Sequence, residues 1–232
     1  MRINLQDSLH YINEEGVICV NTPFTFTHHR PKNEQPATTY PAIFLLHGMG
    51  SNEQDLLQLI DTVPAHIFAV RGPIAHGNGY AFFTIGEEEQ PVRAIFDKVV
   101  LAFSQFVEQA LIEFSINPQQ VHVVGFNQGA VIAQSAAFVL GNQVTGVAAL
   151  SGFLPQFVQE EYVKKDISQV AFFMSHGTYD YIYPIKEAEQ AAVFFEACGA
   201  NVTLMTYEDG HGVTPQNRAD FNDFLHQHIA KV

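Results

Sequence analysis

The strongest constraint on the fold is a series of short apolar runs, separated by longer segments with a helical pattern. The runs are Ala42–Leu46, Ile67–Val70, Val121–Val124, Val147–Leu150, Val170–Met174 and Val202–Tyr207. Runs without polar alternation are typical of strands buried on both faces, as in parallel sheets. Two earlier runs, Val17–Val20 and Phe24–His28, predict an opening antiparallel pair. We therefore predict an α/β protein with a mostly parallel sheet of about eight strands and helices on both faces.

The clearest helical pattern lies in Val92–Phe114, where apolar side chains recur at steps of three and four residues. Such a stripe is typical of a helix that packs on a sheet. Ser51 and Gln54 match a capping box at the start of a second helix. Thr214 followed by Pro215 predicts the start of a third, with threonine as the N-cap.

Composition and charge narrow the class of protein. The chain has 11 Lys and Arg against 24 Asp and Glu, and its net charge of −13 argues against nucleic-acid or anionic-membrane partners. No stretch approaches the roughly 20 apolar residues of a membrane span, and the first ten residues lack the apolar core of a secretory signal. Cys19 and Cys198 stand singly among apolar neighbours, which predicts buried reduced thiols. We expect a soluble, cytoplasmic protein with a single domain over residues 1–232.

The centre of the chain has the pattern of a nucleophile elbow. The strand Val121–Val124 runs into Gly125-Phe-Asn127-Gln-Gly129 and then into the helical stretch Ala130–Leu140. The usual elbow is G-x-S-x-G between a strand and a helix, and here the nucleophile position holds Asn127 instead of serine. A side chain at this position projects above the sheet at a helix N-terminus, where backbone N–H groups can receive an oxyanion.

Two later strands end in residues that suit acyl transfer. Asp180 follows the run Val170–Met174, and His211 follows the run Val202–Tyr207 between two glycines. Open α/β sheets bind ligands at the carboxyl ends of their strands. The order of position 127, Asp180 and His211 is the nucleophile–acid–base order of an α/β-hydrolase. In such a triad the acid orients the histidine, and the histidine is the general base.

Together these segments resemble the phospholipase/carboxylesterase family of α/β-hydrolases, which includes acyl-protein thioesterases and small bacterial carboxylesterases. The matching segments are His47-Gly-Met-Gly-Ser-Asn-Glu-Gln-Asp-Leu56, Arg71-Gly-Pro73, Gly125-Phe-Asn-Gln-Gly129, Ser151-Gly152, His176-Gly-Thr-Tyr-Asp180 with Pro184, and Gly210-His-Gly212. The resemblance implies an α/β-hydrolase domain acting on a small carboxylic ester or thioester. It implies Asp180 as catalytic acid, His211 as base, and the backbone N–H groups of Met49 and Gln128 as oxyanion donors. The family has serine where this chain has Asn127.

Other polar and aromatic residues near these motifs are expected to support or line the site rather than to take part in catalysis. We expect His47 to support the loop that carries Met49 rather than to transfer protons. The tyrosines at 179, 181 and 183 either line the pocket or form its rim. We expect neither a cofactor nor a metal, because the pairs His28-His29 and His226-x-His228 lack clustered Asp, Glu or Cys partners.

The presence of Asn127 at the nucleophile position leaves three hypotheses about function open. An amide nitrogen cannot be deprotonated by histidine near neutral pH, and loss of a triad nucleophile costs on the order of 10⁶ in kcat. Asparagine nevertheless tolerates the positive φ that an elbow requires. The chain is therefore an esterase or thioesterase scaffold with weak or absent activity, or a non-catalytic protein that binds acyl or aromatic ligands. The third hypothesis is a residual hydrolase in which His211 activates water or Asn127 deamidates to aspartate.

Overall fold

The computed structural model describes residues 10–13, 16–19, 22–86 and 90–229. Its strands, in chain order, are β1 (His10–Asn13), β2 (Gly16–Cys19), β3 (Phe26–His29), β4 (Tyr40–Leu46), β5 (His66–Val70), β6 (Ile74–His76), β7 (Gly79–Ala81), β8 (Ile116–Phe126), β9 (Gly146–Leu150), β10 (Ala171–Gly177) and β11 (Asn201–Tyr207). Its α-helices are α1 (Arg93–Glu113), α2 (Gln128–Leu140), α3 (Gln156–Glu161), α4 (Ile185–Ala197) and α5 (Pro215–His228).

The central sheet has seven strands in the order β11-β10-β9-β8-β4-β5-β3. All neighbours pair in parallel except β3, which runs antiparallel to β5 at one edge. The predicted mostly parallel α/β sheet is confirmed, with seven strands rather than about eight.

The difference in strand number comes from the first predicted pair, which was wrong. The strand Gly16–Cys19 pairs with His10–Asn13 in a separate two-stranded sheet. Phe26–His29 pairs instead with His66–Val70, which is distant in sequence. The apolar pattern identified both strands but carried no information on their partners, because pairing depends on which sheet edge is left open.

Helices cover both faces of the sheet, as predicted. Alternate residues of β4 point to opposite faces. Phe44 belongs to the apolar cluster that includes buried side chains of α1, α2, α3 and α4, whereas Ile43 and Leu45 belong to the cluster that includes α5. The predicted stripe of α1 faces the first cluster, with Phe96, Phe103 and other apolar residues fully buried.

Local predictions at helix starts had different outcomes. Thr214 caps α5 as predicted, since its hydroxyl accepts the N–H of Asn217 at 3.0 Å. The capping box at Ser51 and Gln54 was wrong, because the N–H of Gln54 bonds to the side chain of Asn52 ahead of a short 3₁₀ helix.

Two further expectations can be compared with the described residues. Cys198, predicted to be buried, ends α4 and is partly exposed, and the side chain of Cys19 lies outside the described part of the chain. Among the described residues, no helix combines the length and the apolar character needed to cross a bilayer.

Candidate active site

The elbow between β8 and α2 consists of Asn127 alone, which has φ 52° and ψ −118°. Such a sharp reversal brings the strand and the helix into backbone contact. A Cβ on Gly125 would overlap the backbone of Gly129, and a Cβ on Gly129 would overlap the carbonyl oxygen of Leu46. Both glycines are therefore required by close approach, and the predicted strand–turn–helix geometry is present.

Asp180 and His211 lie in direct contact above the carboxyl ends of β10 and β11. His211 Nδ1 is 2.7 Å from Asp180 Oδ2. The other carboxylate oxygen accepts the backbone N–H groups of Ile182 and Tyr183, each at 2.9 Å. The side chain of Asp180 is fully buried, so its position is fixed by these bonds. This contact requires a proton on Nδ1 of His211 and leaves Nε2 directed at the elbow.

The carboxamide of Asn127 contacts both His211 and the loop after β4. Its Nδ2 lies 2.8 Å from His211 Nε2, which acts as the acceptor in the tautomer set by Asp180. Its Oδ1 accepts the backbone N–H of Met49 at 3.1 Å. The amide group thus bridges the histidine and the predicted oxyanion donor.

The loop that carries Met49 is held by His47. The buried imidazole bonds through Nδ1 to the carbonyl of Gly48 at 2.7 Å and through Nε2 to the N–H of Gly72 at 2.9 Å. Burial lowers the pKa of His47, partly offset by the bond to Gly48, so the neutral ring keeps one donor and one acceptor. These contacts agree with the supporting role predicted for His47.

Gln128 begins α2, where backbone N–H groups at the helix N-terminus have no partner within the helix. Its side chain has a structural function that the sequence did not indicate. Oε1 accepts the N–H of Phe82 at 2.9 Å, and Nε2 donates to the carbonyl of Phe83 at 3.0 Å. The fully buried glutamine therefore fixes the segment after β7 against the elbow.

Of the three tyrosines, only Tyr183 enters the site. Tyr179 and Tyr181 are 70% and 83% exposed, whereas the ring of Tyr183 packs edge-on against His211 with centroids 5.6 Å apart. Burial raises the pKa of Tyr183 to about 12, while a hydrogen bond with Asn127 lowers it. The phenol thus stays protonated at neutral pH. Tyr183 lies three residues after Asp180, in the turn that is held by the carboxylate of Asp180. This spacing is the sequence signal that could have distinguished Tyr183 from the other two tyrosines.

His176 has a role that the sequence analysis did not assign to it. Its Nε2 donates to the carbonyl of Tyr183 at 2.7 Å and lies 3.3 Å from Asp180 Oδ2. The ring is completely buried, so it braces the turn that presents Asp180. Within the described ranges, no group of three or more His, Cys, Asp or Glu side chains is arranged to hold a metal ion.

Comparisons with known proteins identify the family and the fold of the chain. Residues 32–229 match the sequence pattern of the Phospholipase/Carboxylesterase family. The putative hydrolase MhqD of Bacillus subtilis is 28% identical over 188 residues, covering 78% of this chain and 90% of MhqD. Acyl-protein thioesterase 1 of Candida albicans is 26% identical over 215 residues, covering 82% of this chain and 93% of the thioesterase.

A solved structure has the same fold. The carboxylesterase of Bacillus cereus superposes with a TM-score of 0.79 at 24% identity, covering 89% of this chain and 95% of the carboxylesterase. With the family match over most of its length, the chain belongs to the phospholipase/carboxylesterase family of α/β-hydrolases.

Proposed function

We propose that this chain is a single hydrolase domain for small carboxylic esters or thioesters, in which Asn127 disables the covalent route. In this proposal Asp180 orients His211, His211 is the base, and the backbone N–H groups of Met49 and Gln128 stabilise the oxyanion. The observation that carries the proposal is the continuous chain of contacts from Asp180 through His211 to the side chain at position 127.

The substrate class is supported by the relatives. One is described as a putative hydrolase and another as an acyl-protein thioesterase. Their sequences are 28% and 26% identical to this chain. At these identities they indicate the type of reaction but not an individual substrate. A small ester or thioester fits the oxyanion chemistry that backbone donors at an elbow provide.

The amide at position 127 opposes acyl transfer in two ways. Its nitrogen lone pair is delocalised into the carbonyl, so Nδ2 cannot attack an acyl carbon. Its Oδ1 also accepts the N–H of Met49, which a substrate carbonyl would need. We therefore expect weak or absent turnover of esters by the unmodified chain.

Binding without turnover is the second candidate function. The carboxamide of Asn127 is hydrogen-bonded at both ends, so the N–H of Met49 and Nε2 of His211 have hydrogen-bond partners without a substrate. Met49, whose backbone N–H contacts Asn127, has an exposed side chain, and so do Tyr179, Tyr181 and Ile182, which lie next to Asp180 in the sequence. These side chains suit an acyl chain or an aromatic ring.

Labelling with a fluorophosphonate probe tests the proposal. We expect no labelling of the unmodified chain, because Ser151 and Ser175, which lie at the strand ends near the site, are buried. The Asn127→Ser variant should be labelled at position 127, and Asn127→Ala should not. Labelling of another serine in the unmodified chain would contradict the role given to Asn127. A folded Asn127→Ser variant that stays unlabelled would favour the binding function.

A further inference from the structure

The site holds the side-chain amide of Asn127 in the way a hydrolase holds an amide substrate. The carbonyl oxygen lies 3.1 Å from the N–H of Met49, within the range of an oxyanion donor. The amide nitrogen lies 2.8 Å from Nε2 of His211, the position of a leaving group that receives a proton. Asp180, 2.7 Å from Nδ1, completes the proton-transfer pair.

We propose that this site hydrolyses the amide of Asn127 itself and so converts position 127 to aspartate. Water is the co-reactant. His211 Nε2 takes one proton from the water as its oxygen bonds to Cγ, and the carbonyl electron pair moves to Oδ1, which the N–H of Met49 stabilises. The carbonyl then re-forms, the Cγ–Nδ2 bond breaks, and His211 returns the proton to the departing nitrogen. The steps release ammonia and leave a carboxylic acid, whose proton passes to ammonia at neutral pH, so amide and water become carboxylate and ammonium without oxidation or reduction.

Four features of the structure favour this reaction. The second proton transfer, from Nε2 to Nδ2, joins two atoms that are already in hydrogen-bond contact. Asp180 stabilises the imidazolium that forms in between. The product carboxylate lies at the N-cap of α2, where a negative charge is stabilised by the helix dipole. The His211 side chain is 13% exposed, which lets water reach the ring.

This route differs from ordinary deamidation of asparagine. Spontaneous loss of ammonia proceeds through attack by the next backbone nitrogen, is fastest before glycine, and yields a mixture of aspartate and isoaspartate. Asn127 precedes Gln128, whereas the exposed Asn78 precedes Gly79. Hydrolysis by His211 breaks no backbone bond and yields aspartate alone. Asn78 therefore serves as an internal reference for spontaneous deamidation.

Conversion of Asn127 to aspartate would supply a nucleophile that the encoded sequence lacks at this position. A carboxylate is among the side chains that form covalent intermediates in enzymes. At position 127 it would remain beside His211, which could then activate water to release the intermediate. The inference concerns the fate of Asn127 and is independent of whether the chain hydrolyses esters.

The test is peptide mass spectrometry of samples taken while the intact, folded protein is incubated at neutral pH. Electron-transfer fragmentation separates aspartate from isoaspartate, which have the same mass. We expect position 127 to gain the one-dalton difference between amide and acid, as aspartate without isoaspartate. His211→Ala should slow the conversion by roughly 10²-fold or more, and Asp180→Asn should slow it as well. The reaction at Asn78 should be equal in all these proteins, and His226→Ala, which changes an exposed histidine of α5, should convert like the unmodified chain.

Three results would overturn the proposal: no mass change at position 127, the same rate in folded His211→Ala, or isoaspartate at position 127. Because the readout is the mass of one peptide, its failure is distinguishable from a failure of the esterase proposal, which is measured by labelling and turnover.

Discussion

The backbone N–H of Met49 donates to Oδ1 of Asn127 at 3.1 Å, so an internal carbonyl oxygen occupies the donor that acyl transfer would use. The same amide donates to His211 at its other end. A substrate carbonyl can reach Met49 only if the Asn127 side chain moves away. Replacing asparagine by serine would at once supply a hydroxyl and free the donor.

Asp180→Asn tests the orienting role of the carboxylate. In an Asn127→Ser background we expect kcat for p-nitrophenyl butyrate to fall by roughly 10³–10⁴, because an amide no longer fixes the proton on Nδ1 of His211. Glu208→Gln, which changes an exposed acid near the same histidine, is the matched control. An equal effect of both variants, or no effect of Asp180→Asn, would contradict the role of Asp180.

The ion pair of Glu53 and Arg71 joins the segment after Met49 to the end of β5, and we expect it to stabilise the loop that carries Met49. The guanidinium donates to both carboxylate oxygens and lies 4.5 Å from the ring centre of Tyr80. The hydrogen bond from Arg71 lowers the pKa of Glu53, against an opposing effect of burial. The stability from this pair is therefore present above the ordinary carboxyl pKa and lost as the pH falls through the lowered value.

Glu53→Gln should accordingly reduce the free energy of unfolding at neutral pH by about 1–3 kcal/mol, measured by urea denaturation. Glu161→Gln, which breaks the exposed pair with Arg93, should cause no measurable change. If the two variants have the same stability, the Glu53–Arg71 pair does not stabilise the loop as described.

The burial of His122 predicts that the free energy of unfolding depends on pH. Neither ring nitrogen has a hydrogen-bond partner among the described residues, and a Cβ on Gly146 would overlap the ring. Burial, with a smaller contribution from repulsion by His228, lowers the pKa of His122 to about 3. The unfolded chain then binds more protons than the folded chain between pH 3 and the ordinary histidine pKa of 6.5, so this histidine reduces stability as the pH falls through that window.

His122→Leu should remove a slope of roughly 1 kcal/mol per pH unit in that window. The measurement is the free energy of urea unfolding as a function of pH, with the exposed His226→Leu as control. A slope that is unchanged in His122→Leu, or equally reduced in both variants, would show that burial of His122 is not its source.

Much of the fold and site could be predicted because each prediction rested on local patterns. Apolar runs identified the strands of the central sheet, although β11, predicted to be buried on both faces, is a mostly exposed edge strand. The two glycines around Asn127 identified an elbow that only glycine can flank. Strand ends and chain order pointed to Asp180 and His211, which do lie in contact.

The remaining features depend on contacts between distant segments, which no local pattern encodes. Phe26–His29 pairs across the sequence with His66–Val70, and Gln128 bonds to Phe82 and Phe83. His176 begins one of the segments that match the family, but its own role depends on its position beside Asp180, which the sequence does not show.

The most direct test of the central claim is the hydrolysis of p-nitrophenyl acetate and butyrate by Asn127→Ser and Asn127→Ala. Both substitutions remove the amide and free the N–H of Met49, but only serine supplies an attacking oxygen. We predict that Asn127→Ser raises kcat by several orders of magnitude over the unmodified chain, given the roughly 10⁶ typical for a triad nucleophile. Asn127→Ala should gain little, and His211→Ala in the serine background should abolish the gain. Ordinary esterase turnover by the unmodified chain in which position 127 is still asparagine, or a folded Asn127→Ser variant without any gain, would contradict the account.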